Sequence, residues 1–394
     1  MPMRMFIVPR EIYYGWGALE ALKGVKGERA LIVTGPRLQK MGHVDRVEAM
    51  LNENGIETRV FSEVEPEPSK ETVVKIATLA QEFQPDLLIG LGGGSNIDAG
   101  KAAWAFYENP DLLTMAWSDV RGAMRRVVFR RKARYVAIPT TSGTASEVTS
   151  IAVITDKDVY PAVKTALRSA GMVPDMAIVD AELAATMPPH LTADTGFDAL
   201  THAVECYVLT PPSDVVDGLA VRATQTVLSW LPKAVADGQD KTAREKMHMA
   251  STMAGMAFSN GRLGLVHACG HQLESSTGIS HGRSLALLID YALAYLFPSI
   301  SARIGELAQA LGLDAANDKE AAERLIAWLA RLRKEIGIPS SIKETGIDEA
   351  KFMANLDKIA ENAIATGIAP KEMTPEEVKA IYLKAWEGAK VQLP

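Results

Sequence analysis

The sequence predicts an α/β N-terminal half followed by an all-helical C-terminal half. The chain has 394 residues, and one hydrophobic core rarely serves a chain of that length. Short apolar runs alternate with helical patterns up to about residue 188, and no strand-like run follows. Such alternation is typical of a parallel sheet covered by helices on both faces. We therefore predict one domain over residues 1–188 and a second over 189–394.

Four apolar runs in the first half have the length and composition of buried strands. The segment MFIVPREIYYGWGALEAL precedes them and predicts a hairpin or an edge strand before the first helix. The four predicted strands are ERALIVTG at 28–35, PDLLIGLG at 85–92, RYVAIPTT at 134–141 and DMAIVD at 175–180.

The second half shows long apolar periodicities that predict helices at 219–230, 244–258, 320–335 and 375–386. Thr374 supplies an N-cap before Pro375, and Glu377 is at the third helical position, where a capping box has Glu or Gln. The run SLALLIDYALAYLF is short for a membrane span and carries Asp290 in its middle. We therefore predict that this run is a buried helix.

The composition, 47% hydrophobic and 23% charged with a formal net charge of -6, is that of an ordinary soluble protein. An acidic balance argues against a nucleic-acid partner. The basic run RGAMRRVVFRRKAR at 121–134 either binds phosphates or lies solvated on the surface, and solvated runs are commoner. Two cysteines and an apparent lack of a signal peptide favour the reducing cytoplasm.

A glycine-rich loop lies between a predicted strand and a predicted helix at Gly92, Gly93, Gly94 and Ser95. Glycines permit close backbone approach to an anion, and the following helix start supplies free N–H groups. The loop matches neither the dinucleotide fingerprint nor the Walker motif, which both fail on spacing. We predict a pyrophosphate cradle here; the alternative is a turn that serves chain geometry alone.

A second polar loop, PTTSGTASEVT at 139–149, follows the next predicted strand and begins with the hydroxyls of Thr140 and Thr141. Ligands of open parallel sheets bind at the carboxyl ends of the strands. Both loops fall at such ends, so we expect them to contact one ligand.

The segment LVHACGHQLESSTGISHG holds His267, His271 and His281, three of the seven histidines of the chain. His267 and His271 are four residues apart, and Asp198 and His202 repeat that spacing, which on a helix places each pair on one face. A lone histidine on an apolar helix is more often a core residue than a ligand. The two pairs together with His281 predict a divalent metal site, although spacing alone does not select its members.

The order of these motifs resembles the iron-containing (group III) alcohol dehydrogenases. The resemblance runs nearly end to end, and the middle of the chain looks most like the alcohol dehydrogenase half of the bifunctional aldehyde-alcohol dehydrogenases. It implies a dehydroquinate synthase-like fold, with a Rossmann-like dinucleotide-binding domain followed by a helical catalytic domain that holds the metal. The motifs that carry it are GGGSNIDAGK, IPTTSGTASEVTSIAVITD, VPDMAIVDAELAATMP, GFDALTHAVECYV and LGLVHACGHQLE.

The resemblance implies the role of each site residue. The family's metal ligands, for Fe²⁺ or alternatively Zn²⁺, fall on Asp198, His202, His267 and His281. His271 corresponds to a further histidine near nicotinamide and substrate that relays the alcohol proton. The cofactor positions implied are Gly92, Gly93, Gly94, Ser95, Asp98, Thr140, Thr141 and, more weakly, Lys164.

Three positions depart from the family's pattern. Many members carry Asp where this chain has Gly35, and that Asp repels the 2'-phosphate of NADP. Arg37 stands two residues on, so we predict that NADP(H) is accepted and preferred, with NAD(H) as the alternative. Gly100 replaces an Ala, which predicts a local stability cost. Ile151 stands where diol-active members place a polar group, so we expect short-chain primary alcohols and aldehydes as substrates.

We therefore predict a cytoplasmic NAD(P)-linked alcohol dehydrogenase or aldehyde reductase, a homodimer or larger homo-oligomer with neither nucleic-acid nor membrane partners. One alternative is a glycerol- or propanediol-type dehydrogenase of the same fold. A second is a metallohydrolase, which would leave the glycine loop without a role. A third is a noncatalytic nucleotide-binding protein, which would leave the histidines unexplained.

Overall fold

A computed structural model describes residues 3–158 and 162–394. The chain divides into two compact units between Met187 and Pro188. This division lies one residue before the boundary expected from the sequence.

The first unit is built on a six-stranded parallel sheet, so the predicted α/β class is confirmed. The order of strands across the sheet is β1-β8-β5-β4-β2-β3. The opening segment forms an edge strand rather than a hairpin, because it pairs in parallel with the last strand. The strands are β1 Glu11–Gly15, β2 Arg29–Val33, β3 Glu57–Phe61, β4 Leu87–Gly92, β5 Arg134–Pro139 and β8 Met176–Asp180.

Helices cover both faces of this sheet. Alternate residues of β2 enter two separate apolar clusters, Leu31 and Val33 one of them and Ala30 and Ile32 the other. Side chains that alternate between the faces of a strand produce this division. The α-helices of the unit are α1 Pro36–Lys40, α2 His43–Glu53, α3 Lys70–Phe83, α4 Gly94–Glu108, α5 Trp117–Ala123 and α6 Ala181–Ala184.

A two-stranded antiparallel sheet stands apart from the main sheet and was not predicted. It consists of β6 Ile151–Asp156 and β7 Val163–Arg168. The third strand of the main sheet, ETRVF, was not predicted either, because its alternating charges give no apolar run. An edge strand needs only one buried face, so a weak apolar signal suffices there.

The second unit is helical throughout the part of it that the structure describes, as predicted. The four predicted helices lie within longer ones, and Thr374 and Glu377 form the expected capping box. The helices are α7 Pro189–Leu209, α8 Asp214–Ala236, α9 Lys241–Asn260, α10 Leu265–Thr277, α11 His281–Ala310, α12 Asp318–Glu335, α13 Glu349–Thr366 and α14 Pro375–Glu387.

The long apolar run lies in α11, where it was predicted to be a buried helix. This helix is long and apolar enough to cross a membrane, but 72% of its most apolar window is buried inside the protein. Its Asp290 pairs with Arg333 of α12 at 2.8 Å, and both side chains are almost fully buried. The helix therefore serves as the core of the second unit.

The basic run at 121–134 is only partly a solvated face. Its basic side chains are exposed, but Arg130 donates to Asp175 at 2.7 Å and to two backbone carbonyls. Lys132 donates to the carbonyl of Tyr107 at 2.7 Å, and Arg131 donates to the carbonyl of Glu108 at 3.0 Å. The C-terminal half of the basic run therefore holds the segment before β5 against other residues of the first unit.

Candidate functional site

The five residues of the predicted metal region lie on three helices. Asp198 and His202 face one side of α7, His267 and His271 lie in α10, and His281 is the first residue of α11. Gly278 ends α10 with a left-handed backbone, φ 79°, which turns the chain toward α11.

Asp198 stands at the centre of this group. Its Oδ1 lies 3.5 Å from Nδ1 of His202, 3.9 Å from Nε2 of His267 and 3.7 Å from Nε2 of His281. Asp198, His267 and His281 each offer a ligand atom within 4.8 Å of the others. A carboxylate and imidazole nitrogens at these separations fit a divalent ion.

His202 lies beside this trio but not within it. Its ring stacks on the ring of His267 with centroids 4.6 Å apart and on Phe258 at 4.2 Å. The family resemblance implied all four residues as ligands. The structure brings ligand atoms of three of them within 4.8 Å of one another, and His202 lies 3.5 Å from Asp198.

His271 stands at the edge of the group. Its ring stacks on that of His281, with centroids 4.8 Å apart, and meets His267 edge-on at 6.3 Å. It is less buried than His267. A partly exposed imidazole beside the candidate ligands is suitable for proton exchange with substrate and solvent.

Two glutamates that the sequence analysis missed contact the candidate ligands. Glu205 Oε2 lies 2.5 Å from Nδ1 of His267, and Glu274 Oε2 lies 3.1 Å from Nδ1 of His281. Glu205 stands three residues after His202, and Glu274 stands three after His271. This i,i+3 spacing on the histidine-bearing helices was the available signal.

Cys269 lies between His267 and His271 in sequence but does not belong to the group of candidate ligands. It is fully buried, and burial raises the pKa of its thiol to about 12, so it stays protonated. Its carbonyl accepts a hydrogen bond from the hydroxyl of Tyr382 at 2.8 Å.

Two of the three glycines of the glycine loop, Gly92 and Gly94, have no room for a side chain. Gly92 has φ +142°, a conformation that side chains rarely adopt, and a Cβ there would overlap the amide of Asn96. A Cβ on Gly94 would lie 2.7 Å from Thr144, whereas one on Gly93 would meet Thr141 at an ordinary 3.4 Å. Gly93 caps α4, whose first N–H groups open toward this loop.

The hydroxyl loop is fastened to α4 by Asp98 and Lys101. Asp98 accepts hydrogen bonds from the Ser146 hydroxyl and, at 2.8 Å, from the N–H of Val153. The fully buried Lys101 donates to the carbonyl of Ser146 at 2.9 Å and to Thr149. Burial raises the pKa of Asp98 and lowers that of Lys101. Asp98 thus has partners within its own unit and positions the loop.

The remaining predicted cofactor positions lie along the carboxyl edge of the main sheet and on the small sheet. The N–H of Thr140 donates to the carbonyl of Gly92 at 3.0 Å, which ties the two loops together. Gly35 precedes α1, on which Arg37 is exposed. Lys164 lies on β7 with its amino group 3.4 Å from Glu67.

The first unit thus presents a parallel sheet with a glycine loop, and the second unit presents helices that carry a carboxylate-imidazole group. Two family models match the chain. Iron-containing alcohol dehydrogenase matches residues 9–181, and the C-terminal model of the Fe-containing alcohol dehydrogenase family matches residues 192–386. The chain belongs to the iron-containing alcohol dehydrogenase family, and the predicted family and alcohol dehydrogenase activity are confirmed.

Three known proteins are similar to this chain over nearly its whole length. The chain is 42% identical over 393 residues to NADPH-dependent butanol dehydrogenase of Clostridium saccharobutylicum, covering 99% of this chain and 100% of the relative. It is 40% identical over 414 residues to bifunctional aldehyde-alcohol dehydrogenase AdhE of Escherichia coli (strain K12), covering 97% of this chain and 46% of that protein. The chain thus spans about half the length of the bifunctional relative. The solved structure of a 1,3-propanediol oxidoreductase matches with a TM-score of 0.87 and 33% identity, over 98% of this chain and 100% of that one.

Proposed function

We propose that this enzyme transfers hydride between NADP(H) and a short-chain primary alcohol or aldehyde, with a divalent metal held by the second unit. The observation that carries the proposal is the position of the Asp198 carboxylate, 3.5 to 3.9 Å from nitrogens of three histidines. A buried carboxylate is costly unless it is paired or bound to a metal. The metallohydrolase alternative has no support from the family.

The ligands we assign are Asp198, His202, His267 and His281. Nε2 of His267 is buried and makes no hydrogen bond within the described residues, as expected of a ligand atom. When bound, a divalent ion supplies Lewis acidity that lowers the pKa of a substrate hydroxyl or polarises a carbonyl. Family membership favours Fe²⁺, and the same donors suit Zn²⁺.

We assign His271 to proton transfer with the substrate. Its ring stacks on that of the candidate ligand His281, and its partial exposure gives it access to solvent. It accepts the hydroxyl proton during alcohol oxidation and returns it during aldehyde reduction. A His271→Gln variant should lose turnover while keeping metal affinity.

The cofactor pyrophosphate is assigned to Gly92, Gly93, Gly94 and Ser95 at the start of α4. The helix start supplies N–H groups and a positive dipole end, and the crowding around Gly92 and Gly94 keeps side chains out. Thr140 and Thr141 of the hydroxyl loop supply hydroxyls opposite the glycine loop. Asp98 holds the hydroxyl loop in place through Ser146, and Lys164 offers a cation on β7.

Preference for NADP(H) is assigned to Gly35 and Arg37. Gly35 leaves no carboxylate to repel a 2'-phosphate, and Arg37 is exposed two residues on. The similar butanol dehydrogenase is NADPH-dependent by name. Arg37→Ala should raise the KM for NADPH about tenfold, the loss of roughly 1.4 kcal/mol of binding, and leave that for NADH unchanged. Lys40→Ala on the same helix is the matched control, and strict NADH use by the unmodified enzyme would contradict the assignment.

The substrate class follows from the apolar side chain beside the metal region. Phe258 stacks on His202, so an aromatic surface rather than a hydroxyl-binding group lies there. The name of the butanol dehydrogenase agrees with this choice. The second candidate is a propanediol-type activity, favoured by the structural match to 1,3-propanediol oxidoreductase. A higher kcat/KM for 1,3-propanediol than for butanol would select the second candidate.

The decisive experiment follows NADPH oxidation with butanal by absorbance. Chelator-stripped protein should be inactive, and anaerobic reloading with Fe²⁺ or Zn²⁺ should restore turnover. The better ion identifies the metal; if it is Fe²⁺, activity should decay in air. Tight NADPH binding without turnover under either ion would contradict the assigned activity.

We also propose a cytoplasmic location and a homodimer or larger homo-oligomer. Both cysteines are buried and unpaired, as a reducing compartment permits. Light scattering at several concentrations tests the oligomeric state, and a constant monomer mass would exclude it.

A further inference from the structure

Two glutamates stand behind the candidate metal ligands, and neither belongs to the ligand set. Glu205 is completely buried and Glu274 is 9% exposed. Both carboxylates meet Nδ1 of a candidate ligand, at 2.5 Å for His267 and 3.1 Å for His281. A carboxylate accepts hydrogen bonds, so a hydrogen bond from each ring to its carboxylate places the donated proton on Nδ1.

The tautomer with its proton on Nδ1 is the one that can bind a metal through Nε2. When Nδ1 carries the proton, the lone pair of a neutral imidazole lies on Nε2. Nε2 of His267 and Nε2 of His281 are the atoms that face Asp198 Oδ1, at 3.9 and 3.7 Å. The two rings are therefore oriented alike, each with a carboxylate at Nδ1 and with Nε2 toward Asp198.

The charges of this arrangement favour a dication. Asp198, Glu205 and Glu274 place three carboxylates among the imidazoles of the second unit. Buried carboxylates repel one another, and a dication at the common point relieves that repulsion. Carboxylates behind histidine ligands also raise the basicity of the ligating nitrogen.

We propose that Glu205 and Glu274 are positioning residues that fix the tautomers of His267 and His281 and set the metal affinity of the site. The inference rests on the proposed metal site and adds two residues to it. Through their histidines they act on the ion, and neither contacts the substrate.

Replacement by glutamine should affect the two glutamates differently. Glu205 accepts two donors, His267 through Oε2 and the N–H of Val266 through Oε1 at 2.7 Å. A glutamine offers one acceptor oxygen, so Glu205→Gln must abandon one of the two donors. Glu274 accepts from the ring of His281 through Oε2, and the side-chain oxygen of Glu274→Gln can still accept from that ring. A purely packing role would treat both glutamine variants alike, since glutamine and glutamate have nearly the same shape.

The experiment measures the dissociation constant of Zn²⁺ from the full chain by chelator competition, with visible absorption of the Co²⁺-loaded protein as a second readout. We expect Glu205→Gln, Glu205→Ala and Glu274→Ala to weaken Zn²⁺ binding about 10- to 100-fold and to alter the Co²⁺ spectrum. Glu274→Gln should stay within about threefold of the original affinity, because its hydrogen bond survives.

Glu377→Gln is the matched control, because this glutamate of α14 also accepts a backbone and a hydroxyl donor but contacts no histidine. It should lower the melting temperature and leave the Zn²⁺ dissociation constant unchanged. Where Glu205→Ala fails to fold, the Glu274 pair decides alone.

The outcomes distinguish a failure of the proposed metal site from a failure of the proposed positioning role of the two glutamates. An unmodified chain that binds no divalent ion would overturn the proposed metal site. An unmodified chain that binds Zn²⁺, with Glu205→Gln and Glu274→Ala no weaker than the control, would overturn the positioning role only.

Discussion

Tyr135 occupies the space that side chains on two glycines of the first unit would need. A Cβ on either Gly90 or Gly100 would overlap its hydroxyl, and that hydroxyl donates to the carbonyl of Ile97 at 2.9 Å. The ring also stacks on Trp104, with centroids 5.4 Å apart. The departure at Gly100 is therefore a consequence of packing, because an alanine there has no room beside Tyr135.

Gly100→Ala should destabilise the protein despite the better helix propensity of alanine. Overpacking a closed core typically costs about 1–3 kcal/mol, more than the ~1 kcal/mol that alanine gains over glycine in a helix. Urea unfolding of Gly100→Ala, Tyr135→Phe and the double variant measures the coupling. Removing the hydroxyl should relieve the clash, so a double variant whose loss equals the sum of the single losses would contradict this explanation.

At the scale of the element, α14 is held at its start by Glu377. Its carboxylate accepts from the N–H of Thr374 at 3.0 Å and from the hydroxyl of Tyr295 at 2.9 Å. The hydrogen bond from Thr374 is the largest cause of a pKa lowered from 4.5 to about 2, with Tyr295 second. A carboxyl whose folded pKa is depressed stabilises the fold above its unfolded pKa and loses that contribution as the pH falls toward the folded value.

Glu377→Gln should therefore lower the melting temperature most above about pH 5. The difference from the unmodified chain should shrink as the pH falls from about 4.5 toward about 2, where both proteins carry an uncharged side chain. Thermal unfolding at several pH values provides the measurement. A difference that is constant across this range would show that the charge of Glu377 has no effect.

The α11–α12 pair depends on Arg333. Its guanidinium meets Asp290 at 2.8 Å and donates to the carbonyl of Ala286 at 2.6 Å. Burial raises the pKa of Asp290, and the positive charge of Arg333 opposes that rise. The apolar core of the second unit therefore contains one ion pair whose members need each other.

Arg333→Met should destabilise the protein by about 3–5 kcal/mol, because it leaves Asp290 as an uncompensated buried charge. Arg333→Met combined with Asp290→Leu should recover most of that loss, since apolar replacements of a buried pair are often neutral. Denaturant unfolding of both variants decides the point. A single variant as stable as the unmodified chain would show that Asp290 is neutral in the fold.

At the scale of the whole molecule, the candidate ligands tie three helices of the second unit to one point. Asp198 comes from α7, His267 from α10 and His281 from α11. An ion that binds the folded chain and not the unfolded one stabilises the fold by mass action. We therefore expect an ion bound by these residues to contribute to stability as well as to activity.

Chelation should lower the melting temperature as it removes activity. With the ion at 100 times its dissociation constant the stabilisation is about 2.7 kcal/mol, which corresponds to a shift of roughly 5–10 °C for a unit of this size. His267→Ala should be insensitive to the chelator, and His190→Ala, an exposed residue at the start of α7, should respond like the unmodified protein. Equal melting temperatures with and without chelator in the unmodified protein would exclude a structural contribution of the ion.

The sequence by itself determined the class of fold, the helices of the second half, the capping box of α14 and the candidate residues of both loops. These features depend on local periodicity and on spacing along one element, which sequence records directly. The four strands predicted from apolar runs, β2, β4, β5 and β8, are buried along nearly their whole length. The order of the motifs was also enough to identify the family, because several of its motifs occur together in this chain.

Only the tertiary structure decided which side chains meet. The spacing of Glu205 and Glu274 marks them only as neighbours of histidines on their own helices. Which histidine each one meets is decided when α7, α10 and α11 pack, because the hydrogen bonds to His267 and His281 join residues 62 and 7 positions apart. The strand ETRVF, the internal partners of Asp98 and the place of Tyr135 beside Gly100 likewise depend on contacts between elements. Periodicity describes one element at a time, whereas the chemistry of this site arises where side chains of different elements converge.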